Sequence, residues 1–141
     1  MKFRMGIAFL SVTGMLVSAY LWLYKQGYIG SLACGSGGCE TVQLSEYSQF
    51  LGVDVALLGF LAYAVLLGAA MLGLQPAWAE RREPTQAALL LSAGGVLFSA
   101  YLTWLELFVI HAICRWCVTS AVIIVVVMVL AVLDHRRLAR P

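Results

Sequence analysis

The chain has 141 residues, 62% of them hydrophobic and only 11% charged, and carries a formal net charge of +2. A mean hydropathy of +0.92 excludes an ordinary water-soluble domain, and no nucleic-acid partner is expected. Four cysteines in so short a membrane chain point either to an oxidising compartment or to redox chemistry.

Residues 5–24, 55–79, 84–105 and 116–133 are free of Asp, Glu, Lys and Arg. Each is long enough as a helix to cross a hydrocarbon core of about 30 Å, the last if it starts near Ile113. The fold class expected is therefore all-α: an integral membrane bundle of four transmembrane helices forming a single domain over 1–141. The helices are placed at about 5–24, 55–75, 85–109 and 113–133, with an outer loop over 25–54. Lys2 and Arg4 precede the first apolar run, but it is longer than a signal core and Lys25 follows it, so it reads as a retained helix. Nor does "SLAC" at 31–34 supply the large apolar residue of a lipoprotein site at Cys34.

The first helix carries Gly6, Ser11, Gly14 and Ser18 on roughly one face, a stripe suited to close helix packing. In the loop, "KQGYIGSLACGSGGCE" is followed by "TVQLSEYSQFLG", where Leu44, Tyr47, Phe50 and Leu51 recur at three- and four-residue steps. That pattern predicts a short amphipathic helix lying along the membrane surface and ended by Gly52. The second helix runs from Val55 to Leu74 and is stopped by Pro76. After the charged turn "ERRE" comes a third helix whose "SAGG" at 92–95 permits close packing or a bend. The fourth contains the β-branched run "VIIVVVMVL".

Basic residues orient the bundle. With both termini in the cytoplasm, Lys2, Arg4, Arg81, Arg82, Arg136, Arg137 and Arg140 lie inside and only Lys25 and Arg115 outside. The expected location is the inner, cytoplasmic membrane, with both cysteine pairs on the extracytoplasmic side. Trp22, Tyr24, Tyr28, Trp104 and Trp116 then gather at the outer boundary and Trp78 at the inner one, as interface anchors.

Cys114 and Cys117, in "CRWC", open a helix, so their side chains share one face where the helix dipole and Arg115 favour thiolate. The pair sits at the lipid's outer edge, next to where an apolar electron acceptor enters. Cys34 and Cys39, in "CGSGGC", occupy a loop soft enough for sulfurs to change partners through mixed disulfides, with no metal. Two static disulfides would close only small loops and stabilise little. A four-cysteine zinc site fits the spacing but not the electropositive membrane edge. Glu106, at the outer end of the third helix, is a functional candidate or a snorkelling boundary carboxylate. His111 reads as an interfacial polar residue.

The chain resembles the bacterial homologues of vitamin K epoxide reductase. The likeness rests on the loop cysteine pair, Ser45 six places after its second cysteine, "FLGVDVALLGFLAY" leading into the second helix, and "YLTWLELFVIHAICRWC" joining the third and fourth. It implies a four-helix bundle around a quinone, ubiquinone or menaquinone, with the short horizontal helix as a lid. By that likeness Cys34 meets a thioredoxin-like partner on the outer side, Cys39 exchanges with Cys114, and Cys117 delivers electrons to the quinone. Ser45 lies near the quinone head group, and Phe50 and Glu106 are further candidate contacts. Asp54 stands where relatives usually have proline, and Ala121 where the animal enzymes have a tyrosine one turn after the last cysteine. The expected activity is oxidation of a separate thioredoxin-like disulfide-forming protein coupled to quinone reduction. Vitamin K epoxide reduction and a non-enzymatic membrane protein with structural disulfides are the alternatives. The other four-helix disulfide-generating family places Cys-x-x-Cys in its first loop, an order this chain reverses.

Overall fold

The computed structural model describes residues 2–25, 49–50, 52–78, 80–111 and 115–139. Four long helices dominate it: α1 (Lys2–Lys25), α2 (Val55–Leu74), α3 (Glu83–Leu105) and α4 (Arg115–Ala139). All four are long and apolar enough to span a membrane. With no water in a bilayer to satisfy backbone groups, a helix is the form that pairs every N–H and C=O within its own segment. This is why the β-branched α4, a poor helix former in water, is helical throughout. The helices pack in ring order, α1 against α2 and α4, and α3 against α2 and α4.

The surface is apolar in the way lipid requires. Phe9, Leu90 and Leu97 are each more than 70% exposed, while Leu66 and Val127 are fully buried at the centre with Ile7, Ala70 and Ala131. Apolar contact is thus not what separates inside from outside, and small residues decide the approach instead. Ser11 and Ser18 are buried on α1, and a Cβ at Gly14 would run into the Tyr63 ring of α2. On α3, a Cβ at Gly95 would stand 2.8 Å from Ile124 of α4. The small stripe on the first helix and the close packing of "SAGG" are therefore as expected.

A knot of polar side chains ties the end of the bundle where the described chain begins and finishes. Arg4, only 2% exposed, donates from Nε to Asp134 at 3.0 Å and from its terminal nitrogens to the carbonyls of Gly73, Trp78 and Arg81 and to Thr85 Oγ1. Thr85 in turn donates to Asp134, and Arg137 closes on the other carboxylate oxygen at 2.9 Å. One guanidinium thus joins all four helices. It takes up carbonyls left over where α2 ends at Leu74 and the 3₁₀ turn Pro76–Trp78 follows. Arg4, counted from the sequence only as an orienting charge, is a structural centre.

The approach to α2 corrects one expectation. Gln49–Phe50 form a two-residue strand, β1, paired antiparallel with β2 (Val53–Asp54) in the register Gln49↔Asp54 and Phe50↔Val53. Phe50 is therefore not on an amphipathic helix, and its backbone is extended; residues 44–48, where the rest of that helix was expected, lie outside the described residues. The cause is Gly52, at φ +81°, which reverses the chain within a two-residue loop. The same left-handed freedom that ends a helix also closes a hairpin, so the glycine alone does not distinguish them. Asp54 has φ −60° and ψ 131°, inside the range to which proline is confined, so its backbone follows the path a proline would take there.

Candidate functional site

Between the helices, toward the end opposite the Arg4 knot, lies a cavity of about 490 Å³. Its walls are mostly aliphatic and aromatic: Leu21 from α1, Ala56 and Leu58 from α2, Leu91 and Phe98 from α3, Ile124 from α4. Two glycines keep it open. Gly94 faces empty space, and a Cβ at Gly59 would stand 3.1 Å from Ser18 Oγ on the opposite wall. The size is that of a small-molecule site, and an apolar slot with a few hydroxyls suits a flat, lipid-soluble ring.

Cys117 lines this cavity and is half-buried. It packs beside the cluster of Val17, Leu21 and Ala56, next to Trp116, whose ring meets Tyr20 edge-on at 5.1 Å. Glu106 also lines the cavity and is only 3% exposed, so the carboxyl faces inward and does not snorkel. It begins a π-helical turn, Glu106–Ile110, that continues α3 and is ended by His111 in the left-handed conformation, φ 58°. Phe50 belongs to β1, where only its backbone is described. Cys34, Cys39, Ser45 and Cys114 lie outside the described residues. The structure thus brings Cys117 and Glu106 to one cavity.

Two residues of the same wall carried no assignment from sequence. Tyr63, buried on α2, donates its hydroxyl to the carbonyl of Ser120 at 2.9 Å and shares a second 2.9 Å hydrogen bond with Ser120 Oγ. Ser120 lies three residues after Cys117, on the same helix face. The available signal was a tyrosine in mid-segment, since a buried phenol needs a partner in a medium that offers no water. Tyr63→Phe is expected to cost about 0.5–1 kcal/mol, the net worth of such a bond, read as a lower unfolding midpoint in detergent micelles. An unchanged midpoint would show that the pair contributes nothing to holding α2 and α4 together across the bundle.

Trp22 and Tyr24 at the end of α1, Trp104 near the end of α3 and Trp116 at the start of α4 occupy the Cys117 end of the bundle. Trp78, with Arg81 stacked over its ring at 4.7 Å, marks the other. Residues 5–132 match the Vitamin K epoxide reductase family, a span that takes in the second and third transmembrane segments whole, most of the first and fourth, and every described residue of the cavity wall. Four spanning helices around an apolar cavity edged by a cysteine, together with a match over nearly the whole chain, place this protein in the vitamin K epoxide reductase family.

Proposed function

We propose that the protein is a membrane thiol:quinone oxidoreductase that takes two electrons from the dithiol of a separate thioredoxin-like protein and passes them to ubiquinone or menaquinone, supporting disulfide formation. Membership of the family supports an oxidoreductase of the membrane. The observation that carries the finer reading is the half-buried Cys117 on the wall of an apolar cavity of about 490 Å³. A sulfur there reaches a lipid-soluble ring and is shielded from most aqueous thiols. A quinone supplies the electron sink, accepting two electrons and two protons.

In this reading Cys34 attacks or receives the partner's sulfur, Cys39 exchanges with Cys114, and the Cys114–Cys117 pair forms its disulfide as electrons leave. Each exchange needs a thiolate, a sulfur–sulfur bond and a free path between them. Leu21, Ala56 and Phe98, on the cavity wall, hold the ring by apolar contact, and Ser45 and Phe50 are the further contacts that the family likeness implies. The cysteine pairs face the extracytoplasmic side of the inner membrane and both termini the cytoplasm, by the excess of basic residues at the Arg4 end. Ala121, in place of the animal enzymes' tyrosine, favours quinone over epoxide as substrate.

The test is purified protein in micelles with a short-chain quinone and dithiothreitol, followed by the quinone's ultraviolet absorbance. Catalysed loss of the quinone band is expected, with a slower rate on vitamin K epoxide. No rate above the uncatalysed mixture would refute the reading, and faster epoxide reduction would reverse the assignment of substrate.

A further inference from the structure

We propose that Glu106 is the general acid that protonates the quinone in this cavity, an inference that rests on the thiol:quinone reading above. Oxidising the Cys114–Cys117 dithiol breaks two S–H bonds and makes one S–S bond, and the two electrons released require two new O–H bonds on the acceptor. The two oxygens of a quinone lie on opposite sides of its ring, so one thiol cannot serve both. A second proton donor inside the cavity is needed.

Among the described lining residues there is one carboxyl, that of Glu106, and no Lys, Arg or His. The other polar groups are hydroxyls, of which Tyr63 and Ser120 already bond to each other. A carboxyl is a far stronger acid than any hydroxyl there, and it is a common proton donor in enzymes. Glu106 is 3% exposed, so no bulk water stands between it and a bound ring.

The local backbone puts this acid within one turn of the bundle end, where a carboxylate can recover its proton. Glu106 opens the π turn, and its carbonyl accepts the backbone N–H of His111, which is exposed at the bundle end. One wide turn therefore separates the cavity from the aqueous boundary, and turns of this kind occur frequently at functional sites. The balance closes as follows. Cys117 gives its proton to one ring oxygen and Glu106 gives its proton to the other. The Cys114 thiol releases its proton to water, and the Glu106 carboxylate takes one back from water.

The experiment compares the full-length protein with its Glu106→Gln and Glu106→Asp variants, using a short-chain quinone and dithiothreitol. Glutamine keeps the size and hydrogen bonding of the side chain but cannot release a proton. E106Q is expected to bind the quinone within about two-fold of wild type, by quenching of tryptophan fluorescence. Its kcat is expected to fall about 100-fold, with E106D recovering part of it. Infrared difference spectra between quinone-loaded reduced and oxidised protein should show a carboxyl C=O band that shifts in D₂O and is missing from E106Q. Wild-type kcat in E106Q, weakened binding with kcat intact, or a wild-type spectrum lacking the band would each overturn the proposal. If E106Q fails to fold, E106D and the wild-type spectrum decide. Wild-type protein that reduces no quinone sinks the thiol:quinone reading and this role with it, whereas wild-type turnover retained by E106Q sinks this role alone.

Discussion

Replacing Cys117 by alanine is expected to bring quinone reduction down to the uncatalysed rate while the bundle stays folded. The side chain is half-buried on the cavity wall and lies beside Val17, Leu21 and Ala56, so its loss removes one sulfur's worth of packing, about 1 kcal/mol. The chemical loss is total by comparison. On the proposed reading, exchange between Cys39 and Cys114 still occurs without Cys117, but the Cys114–Cys117 disulfide that forms as electrons leave cannot, and no sulfur delivers electrons to the ring. The paired measurement is quinone absorbance for turnover and thermal unfolding for the fold. Cys34→Ala is the contrasting variant: it should block oxidation of a thioredoxin-like protein while a small dithiol still drives the inner pair. A Cys117→Ala protein that turns over quinone would remove Cys117 from the reaction.

A second large effect is expected at the opposite end, where Asp134→Ala should lower stability by about 3 kcal/mol. Asp134 is fully buried, and both of its oxygens are in use, one with Arg4 and Thr85 and the other with Arg137. Among the described contacts, its removal leaves the buried Arg4 guanidinium on neutral acceptors, namely Thr85 and the carbonyls of Gly73, Trp78 and Arg81. Breaking one side of such a pair is worse than removing both, because the surviving charge stays in a poor solvent. Arg4→Met combined with Asp134→Leu should therefore be less damaging than Asp134→Ala, giving a positive coupling in a double-mutant cycle. Denaturation in mixed micelles reads the stability. The knot lies about 25 Å along α4 from Cys117, so kcat per folded molecule should not change. An Asp134→Ala midpoint equal to wild type would show that Arg4 does not need the carboxylate.

What could be read from the sequence follows from what a bilayer demands. Charge-free segments of sufficient length must be helices, because lipid leaves the backbone no other partner, and the four helices lie on those segments. The glycine and serine stripe of α1 was legible for a related reason: where every surface is apolar, small residues mark where backbones meet. Glu106 was legible only as a carboxylate at the end of an apolar segment, with a functional and a snorkelling role both open, and its burial in the bundle decided against snorkelling.

Three-dimensional packing settled what no local pattern encodes. Arg4 and Asp134 are 130 positions apart, and nothing in either neighbourhood distinguishes a buried pair from two boundary charges. Tyr63 finds Ser120 across the bundle, 57 positions on, and only the assembly of α2 and α4 on opposite sides of the bundle makes cavity walls of them. Around Phe50 the three- and four-residue spacing pointed to a helix, yet Gly52 turned the chain into a hairpin with Val53–Asp54. Periodicity records which side chains are apolar, whereas pairing between strands depends on which backbone comes alongside. Membrane insertion is a property of composition along the chain, and so is read directly. Side-chain partnership in a lipid-facing bundle depends on how helices rotate and tilt against one another, which the assembled structure alone decides.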